Sequence, residues 1–220
     1  MPNWCYTTIS FHGNKNEIEG LHKVLTTATS KEYIHTDFGN NWLGNVLYEV
    51  GLQNQIDNEN PKLNLRCRGT IELIEDVDTR QNGVYFLRIG TETAWCPMIK
   101  MWQAILDALN YKSVKIAFMS EEPGCGLYSK YDPYDEFPDT YFVDGYVEGE
   151  DCNNEIICEI IDTRYFDSED TLVEYLQDLF KTKESNVEEL IDQVENYPFK
   201  DENSYLFVHK YNTVNLDDFE

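Results

Sequence analysis

At 220 residues, 41% hydrophobic and 14% aromatic, the chain carries enough apolar material for a sizeable core, which excludes a disordered acidic tail. Its formal net charge of -24 repels phosphate, and phosphate binding depends on Lys and Arg, so neither direct nucleic-acid binding nor an anionic membrane surface is expected. The charge is uneven: residues 1–110 hold 9 Lys and Arg against 13 Asp and Glu, whereas residues 111–220 hold 8 against 28.

In chain order, TTISFHG alternates and predicts a strand closed by Gly13. Asn14 with Glu17 three residues on marks a helix start, and Ile18, Leu21, Val24, Leu25 and Ala28 give that helix one apolar face. Residues 31–61 are less regular and are taken as an insertion, with a short helix in NNWLGNVLYEVGL. KLNLRCRGTIELIEDV and GVYFLRIGTETA predict two strands around DTRQNG. Pro97 stands where a helix can begin, and Trp102, Ile105, Leu106 and Leu109 form the stripe of that helix. SVKIAFM is a further strand, so the order to residue 121 is β-α-β-β-α-β. That order predicts an α+β fold with a ferredoxin-like antiparallel sheet over residues 1–130. Residues 131–220 are expected as an acidic α+β extension packed on that domain. Its predicted parts are a hairpin of TYFVDGYVEG with EIICEIID, a helix with Leu172, Tyr175, Leu176 and Leu179 on one face, a helix capped by Ser185 with Glu188, and the strand SYLFVHKYNTV.

In a sheet of strand order 4-1-3-2, the start of the first strand meets the ends of its two neighbours. Those places read NWCY, TETAWCP and EEPGCG, so Trp4, Cys5, Trp95, Cys96, Glu121, Glu122 and Cys125 are expected at one edge, with both indoles buried against each other. The M-x-N-W-C opening, the T-A-W-x-P turn and the E-E-P-G after the last strand, together with Cys67–Gly69, resemble the YubB / Api-ninety-two-like family of phage and plasmid proteins. The resemblance spans roughly residues 1–130 and implies a ferredoxin-like domain with no assigned activity. The chain departs from the family pattern at Cys96, where Ser is usual before the Pro, and in the loop after Gly124.

Candidate chemistry is thin. Cys5, Cys96 and Cys125 converge but include no close ligand pair such as C-x-x-C, so no metal is expected. The six cysteines (Cys5, Cys67, Cys96, Cys125, Cys152, Cys158) follow no signal peptide and include no C-x-x-C pair, which predicts reduced cytoplasmic thiols, and the phage and plasmid resemblance implies that the cytoplasm is that of a bacterial host. No apolar run reaches the roughly 20 residues a membrane span needs. His12, His22, His35 and His209 show no metal spacing, and no nucleophile elbow or P-loop is present, so neither a cofactor nor an enzyme class is indicated.

Two functional classes follow. The first is a non-enzymatic interaction protein whose acidic half occupies a basic surface of a host protein. With the phage and plasmid resemblance, this sharpens to a nucleic-acid mimic or anti-defence inhibitor. Tyr131, Asp132, Tyr134, Asp135, Glu136 and Asp139, in the stretch SKYDPYDEFPDTYF, are its candidate acidic and aromatic interface, weighed against a loop simply packed on the domain. The second is a small-ligand or nucleotide site, or a weak hydrolase, at the edge of Trp4, Glu92, Trp95, Glu121 and Glu122, where Gly124 and Gly126 would leave backbone N–H groups open to a polar group.

Overall fold

The computed structural model describes residues 3–30, 38–57, 59–60, 64–80 and 82–219. His35 and part of the 31–61 insertion lie outside the described residues. The chain is a mixed α+β protein that divides into two compact units, residues 1–137 with 213–220, and residues 138–212. Among the described residues, no helix is long and apolar enough to cross a membrane.

The first unit is built on a mostly antiparallel sheet. Strand β1 (Trp4–Gly13) lies between β4 (Tyr85–Ala94) and β5 (Lys115–Glu122); β2 (Gly69–Ile74) flanks β4, and β6 (Leu127–Tyr131) flanks β5. The two-residue strand β3 (Asp78–Thr79) also pairs with β4. Parity along β1 decides the faces. Ile9 and Phe11 point to one side and are fully buried in the core, while Tyr6, Ser10 and His12 point to the other.

Helices cover the core side. Helix α1 (Lys15–Ser30) starts where the Asn14 side chain accepts a hydrogen bond from the Glu17 N–H at 3.0 Å, and it buries Ile18, Leu21, Leu25 and Ala28. The short α2 (Leu43–Glu49) contributes Leu43, Val46 and Leu47 to the same core. Helix α3 (Ile99–Ala108) begins two residues after Pro97 and buries Trp102, whose ring meets Phe11 edge-on at 5.6 Å.

The second unit has its own core and a three-stranded sheet ordered β8-β7-β9. The strands are β7 (Tyr141–Tyr146), β8 (Tyr165–Phe166) and β9 (Tyr205–Lys210), with helices α4 (Glu155–Thr163), α5 (Glu169–Phe180) and α6 (Val187–Glu195). The predicted hairpin is therefore corrected, because EIICEIID is helical. Its isoleucines at 156, 157, 160 and 161 follow the helical repeat, and the Asn154 side chain caps the Ile157 N–H. The strand preference of β-branched residues is weak and is overridden by burial, and here the helix buries Ile157 and Ile160 fully. A second correction concerns the cap of α6, which is Asn186 rather than Ser185. The Asn186 carboxamide oxygen accepts from the Glu188 N–H at 2.9 Å.

The negative charge is concentrated in the second unit. Residues 138–212 carry 20 Asp and Glu against 5 Lys and Arg, a net charge of -15 on 75 residues. Three lysines there make ion pairs, Lys181 with Asp178 at 2.9 Å, Lys200 with Glu150 at 3.0 Å and Lys210 with Glu169 at 3.8 Å, all with both side chains more than half exposed. Pairs of that kind contribute little in water. Backbone N–H groups do restrain individual acids: those of Asp201 and Lys200 hold the Asp151 carboxyl below its ordinary range, and those of Asn186 and Ser185 do the same for Glu184. These bonds are local, whereas repulsion among the remaining acids is long-ranged and screened by salt. The melting temperature of this unit should therefore rise as NaCl goes from about 10 to about 150 mM, across which the Debye length shrinks from roughly 30 to 8 Å. A flat or falling melting temperature in calorimetry would show that its acids are balanced internally.

Candidate interaction site

The first predicted edge does assemble. Trp4 pairs with Ala94, Tyr6 pairs with both Glu92 and Glu121, and the Trp95 N–H donates to the Asn3 carbonyl at 2.9 Å. The Asn3 side chain also donates to the Cys125 sulfur at 3.4 Å. The N-terminus is thus held by backbone pairing, but its indole is not buried. Trp4 is 40% and Trp95 48% exposed, which corrects the expected buried pair. Strand parity gives the reason: fully buried Cys5 takes the inward position, and Trp4 is left outward. Trp95 adopts a left-handed backbone conformation with φ +67, and the Arg68 guanidinium lies over its ring at 5.0 Å.

The carboxylates of this edge separate by the same parity. Glu122 is buried and accepts from the Cys125 N–H at 2.5 Å, closing the turn Pro123–Cys125. Glu92 and Glu121 lie on the outer face on either side of Tyr6, and two strand spacings put them about 10 Å apart, too far to share a proton. Partial desolvation and Glu92 raise the Tyr6 phenol above its ordinary value. Gly126 takes up the left-handed end of the turn at φ +65, and a Cβ on Gly124 would sit 2.6 Å from the Asn3 amide nitrogen. Both glycines thus serve the turn itself.

Three of the six thiols are withdrawn from solvent. Burial pushes Cys5 up to about 11 and Cys67 up to about 12, and it raises Cys96, so all three are protonated at neutral pH and poor metal ligands. Among the described residues, no group of three His, Cys, Asp or Glu is placed to hold a metal ion.

The predicted acidic interface is turned inward. The Asp132 carboxylate accepts from the N–H groups of Tyr134, Glu136 and Phe137 at 3.3, 2.9 and 2.7 Å. Glu136, its side chain 5% exposed, accepts from Arg80 and, at 3.0 Å, from Arg88, and the Arg80 guanidinium also reaches the Tyr134 carbonyl at 2.9 Å. Tyr134 stacks on buried His12 with ring centroids 4.4 Å apart, and Tyr131 packs near Phe118. Burial opposes the Glu136 charge, but the two arginines outweigh it and keep the carboxyl below its ordinary value. Asp135 remains exposed, and Asp139 falls in the second unit. Residues 131–137 are thus fastened to the first unit's sheet, the arrangement weighed above as a loop packed on the domain.

A surface that the sequence reading passed over lies on the second unit. The core side of its sheet holds Tyr141, Val143, Phe166 and Leu206. Parity sends Phe142, Asp144 and Tyr146 of β7 and Tyr205, Phe207 and His209 of β9 to the opposite face. Their rings form a continuous row: Tyr146 to Tyr205 at 6.4 Å, Tyr205 to Phe207 at 5.5 Å, Phe207 to His209 at 6.2 Å and His209 to Phe142 at 6.4 Å. Tyr146, Tyr205 and Phe207 are 49, 37 and 46% exposed, and Asp144 sits opposite Phe207 in the register. Burial and then Asp144 raise the Tyr205 phenol. The signal was present in SYLFVHKY, where both alternating sets are apolar or aromatic, although a strand with one wet face needs only one such set.

No protein-family model, curated protein or solved structure matches this chain.

Proposed function

We propose that the protein is a non-enzymatic acidic binding protein that engages a basic surface of another protein through its second unit. The observation that carries this is the coincidence, on one 75-residue unit, of a net charge of -15 with a row of exposed aromatic side chains. Like-charged surfaces stay soluble without aromatics, and aromatics stranded in water add nothing to solubility. Together they match an interface that steers a cationic partner and then anchors it. The first unit, with strands in the order β5-β1-β4-β2, supports a reading as a ferredoxin-like scaffold of the kind the YubB / Api-ninety-two-like resemblance implies. In that setting the partner is a host protein of the bacterial cytoplasm, and a DNA-handling or defence factor whose basic groove the second unit occupies is the sharper form. The competing ligand site at Trp4 and Trp95 is less favoured: the edge assembles with both indoles exposed, but Arg68 lies over the Trp95 ring and Glu122 caps its turn.

Affinity capture from host lysate with a salt series tests the proposal. The expected result is a basic partner retained at about 150 mM NaCl and released as the salt rises, because exposed charges separated by more than about 8 Å are screened there. Retention of no basic protein, or binding indifferent to salt, would sink it.

A further inference from the structure

We propose that the exposed Tyr146, Tyr205 and Phe207 part of the second unit's outer sheet face, beside the buried Phe142, is a docking site for an extended, arginine-containing segment of the partner, with alternate arginines stacking on Tyr205 and Phe207 and one pairing with Asp144. This rests on the basic-partner reading above and specifies its chemistry. Three observations select arginine. The ring row repeats along β9 with centroid spacings of 5.5 and 6.2 Å, and an extended peptide presents same-side side chains at a similar repeat of about 6.5–7 Å. Exposed aromatic faces attract a planar, weakly hydrated guanidinium better than the strongly hydrated ammonium of lysine. Asp144, across from Phe207, places one carboxylate within the row, where a guanidinium fork can meet it with two hydrogen bonds. The molecule already contains cation-on-ring contacts of both kinds, Arg68 over Trp95 at 5.0 Å and Lys210 over Tyr141 at 5.2 Å, so it is the planar stacking on Tyr205 and Phe207 and the fork to Asp144 that favour arginine.

The surroundings narrow the mode of binding. Glu148 accepts from the Tyr146 hydroxyl at 3.1 Å, which adds negative charge at one end of the row. The edge of β9 is partly closed, because Glu195 accepts from the Val208 N–H at 2.9 Å, so the segment is read on the face of the sheet instead of being added as a strand. Nucleic acid is repelled by the unit's charge, and the row carries no cation to offset that.

Fluorescence anisotropy with labelled (Arg-Ser)4 and (Lys-Ser)4 peptides in about 150 mM NaCl separates stacking from charge alone. The full-length chain should bind the arginine peptide about tenfold more tightly than the lysine peptide. Phe207→Leu, which leaves the net charge unchanged, should reduce that difference and the double variant Tyr205→Leu/Phe207→Leu should abolish it, whereas Tyr6→Leu on the first unit should preserve it. Equal affinities for the two peptides, or an arginine preference untouched by Phe207→Leu, would overturn the inference and leave the basic-partner reading standing. Binding of neither peptide also overturns it, with lysate capture deciding separately whether the basic-partner reading survives. Binding of a neutral oligosaccharide such as cellohexaose that is lost in Phe207→Leu would overturn it in favour of a glycan platform. Should Phe207→Leu unfold the second unit, the arginine-to-lysine ratio of the unaltered chain, and movement of the Tyr146, Tyr205 and Phe207 ring resonances on titration, decide the same question.

Discussion

Glu136→Gln is expected to destabilise the first unit by about 3 kcal/mol, lowering its melting temperature by roughly 10 °C. The substitution keeps the shape but removes the one negative charge that Arg80, Arg88 and His12 all face. The Arg80 and Arg88 side chains are 30 and 34% exposed, so water recovers part of their solvation, which holds the figure near the lower end for a broken buried pair. An acid on an open interface loop would cost no more than about 0.5 kcal/mol. A small effect in thermal or urea unfolding would favour the open-interface alternative that the sequence left beside the packed loop.

The same cluster sets a pH dependence. Burial lowers His12 below the ordinary imidazole value of 6.5, with Glu136 opposing the shift, and burial likewise lowers His209. The unfolded chain then takes up protons that the folded chain refuses. The stability from neutral imidazole is complete above pH 6.5 and is lost as the pH falls through that value toward the lowered ones. The Glu136 carboxyl, below its ordinary 4.5, extends the loss on further acidification. In Glu136→Gln the His12 shift should deepen, because its main favourable charge is gone. The His12 Nδ1 has no hydrogen-bond partner among the described residues, so no acceptor there offsets the cost of protonation.

The second large effect is expected at Trp102 and not at the conspicuous N-terminal tryptophan. Trp102→Ala removes a ring that is 1% exposed and packed on Phe11, and should cost about 3–5 kcal/mol. Trp4→Ala removes a ring already 40% exposed and should cost about 1–2 kcal/mol. Equal losses in denaturant unfolding would mean that the opening segment is anchored by its indole after all, and not by pairing of the Trp4–Gly13 strand with Tyr85–Ala94.

Local signals made much of the first unit legible. Asn14 capping Glu17, the 3–4 spacing of Ile18, Leu21 and Leu25, and the Trp102, Ile105 and Leu106 stripe each act within one element and read directly from spacing. What escaped depended on partners distant in sequence. Trp4 and Cys5 are both apolar, so nothing local says which of the two faces inward; the pairing with residues 93 and 94 decides it. The stretch from Asp132 to Phe137 looks like exposed acid until Arg80 and Arg88, some 50 residues away, are brought under it. The run of isoleucines between 156 and 161 satisfies a strand and a helix alike, and only the Asn154 cap and the second core favour the helix. For the candidate site, β7 and β9 were foreseeable but the two-residue β8 was not, and neither was the aromatic row, because it joins alternate residues of β7 and β9, which lie about 60 residues apart in the chain.

The central claim is that the second unit's sheet face, and not the tryptophan edge of the first unit, meets the partner. Cross-saturation transfer from the partner captured in lysate to the aromatic ring protons of this chain tests it most directly. The account predicts saturation at Tyr146, Tyr205 and Phe207, with Trp4, Tyr6 and Trp95 unaffected. Saturation at Trp4, Tyr6 and Trp95, with the Tyr205 and Phe207 rings untouched, would contradict it.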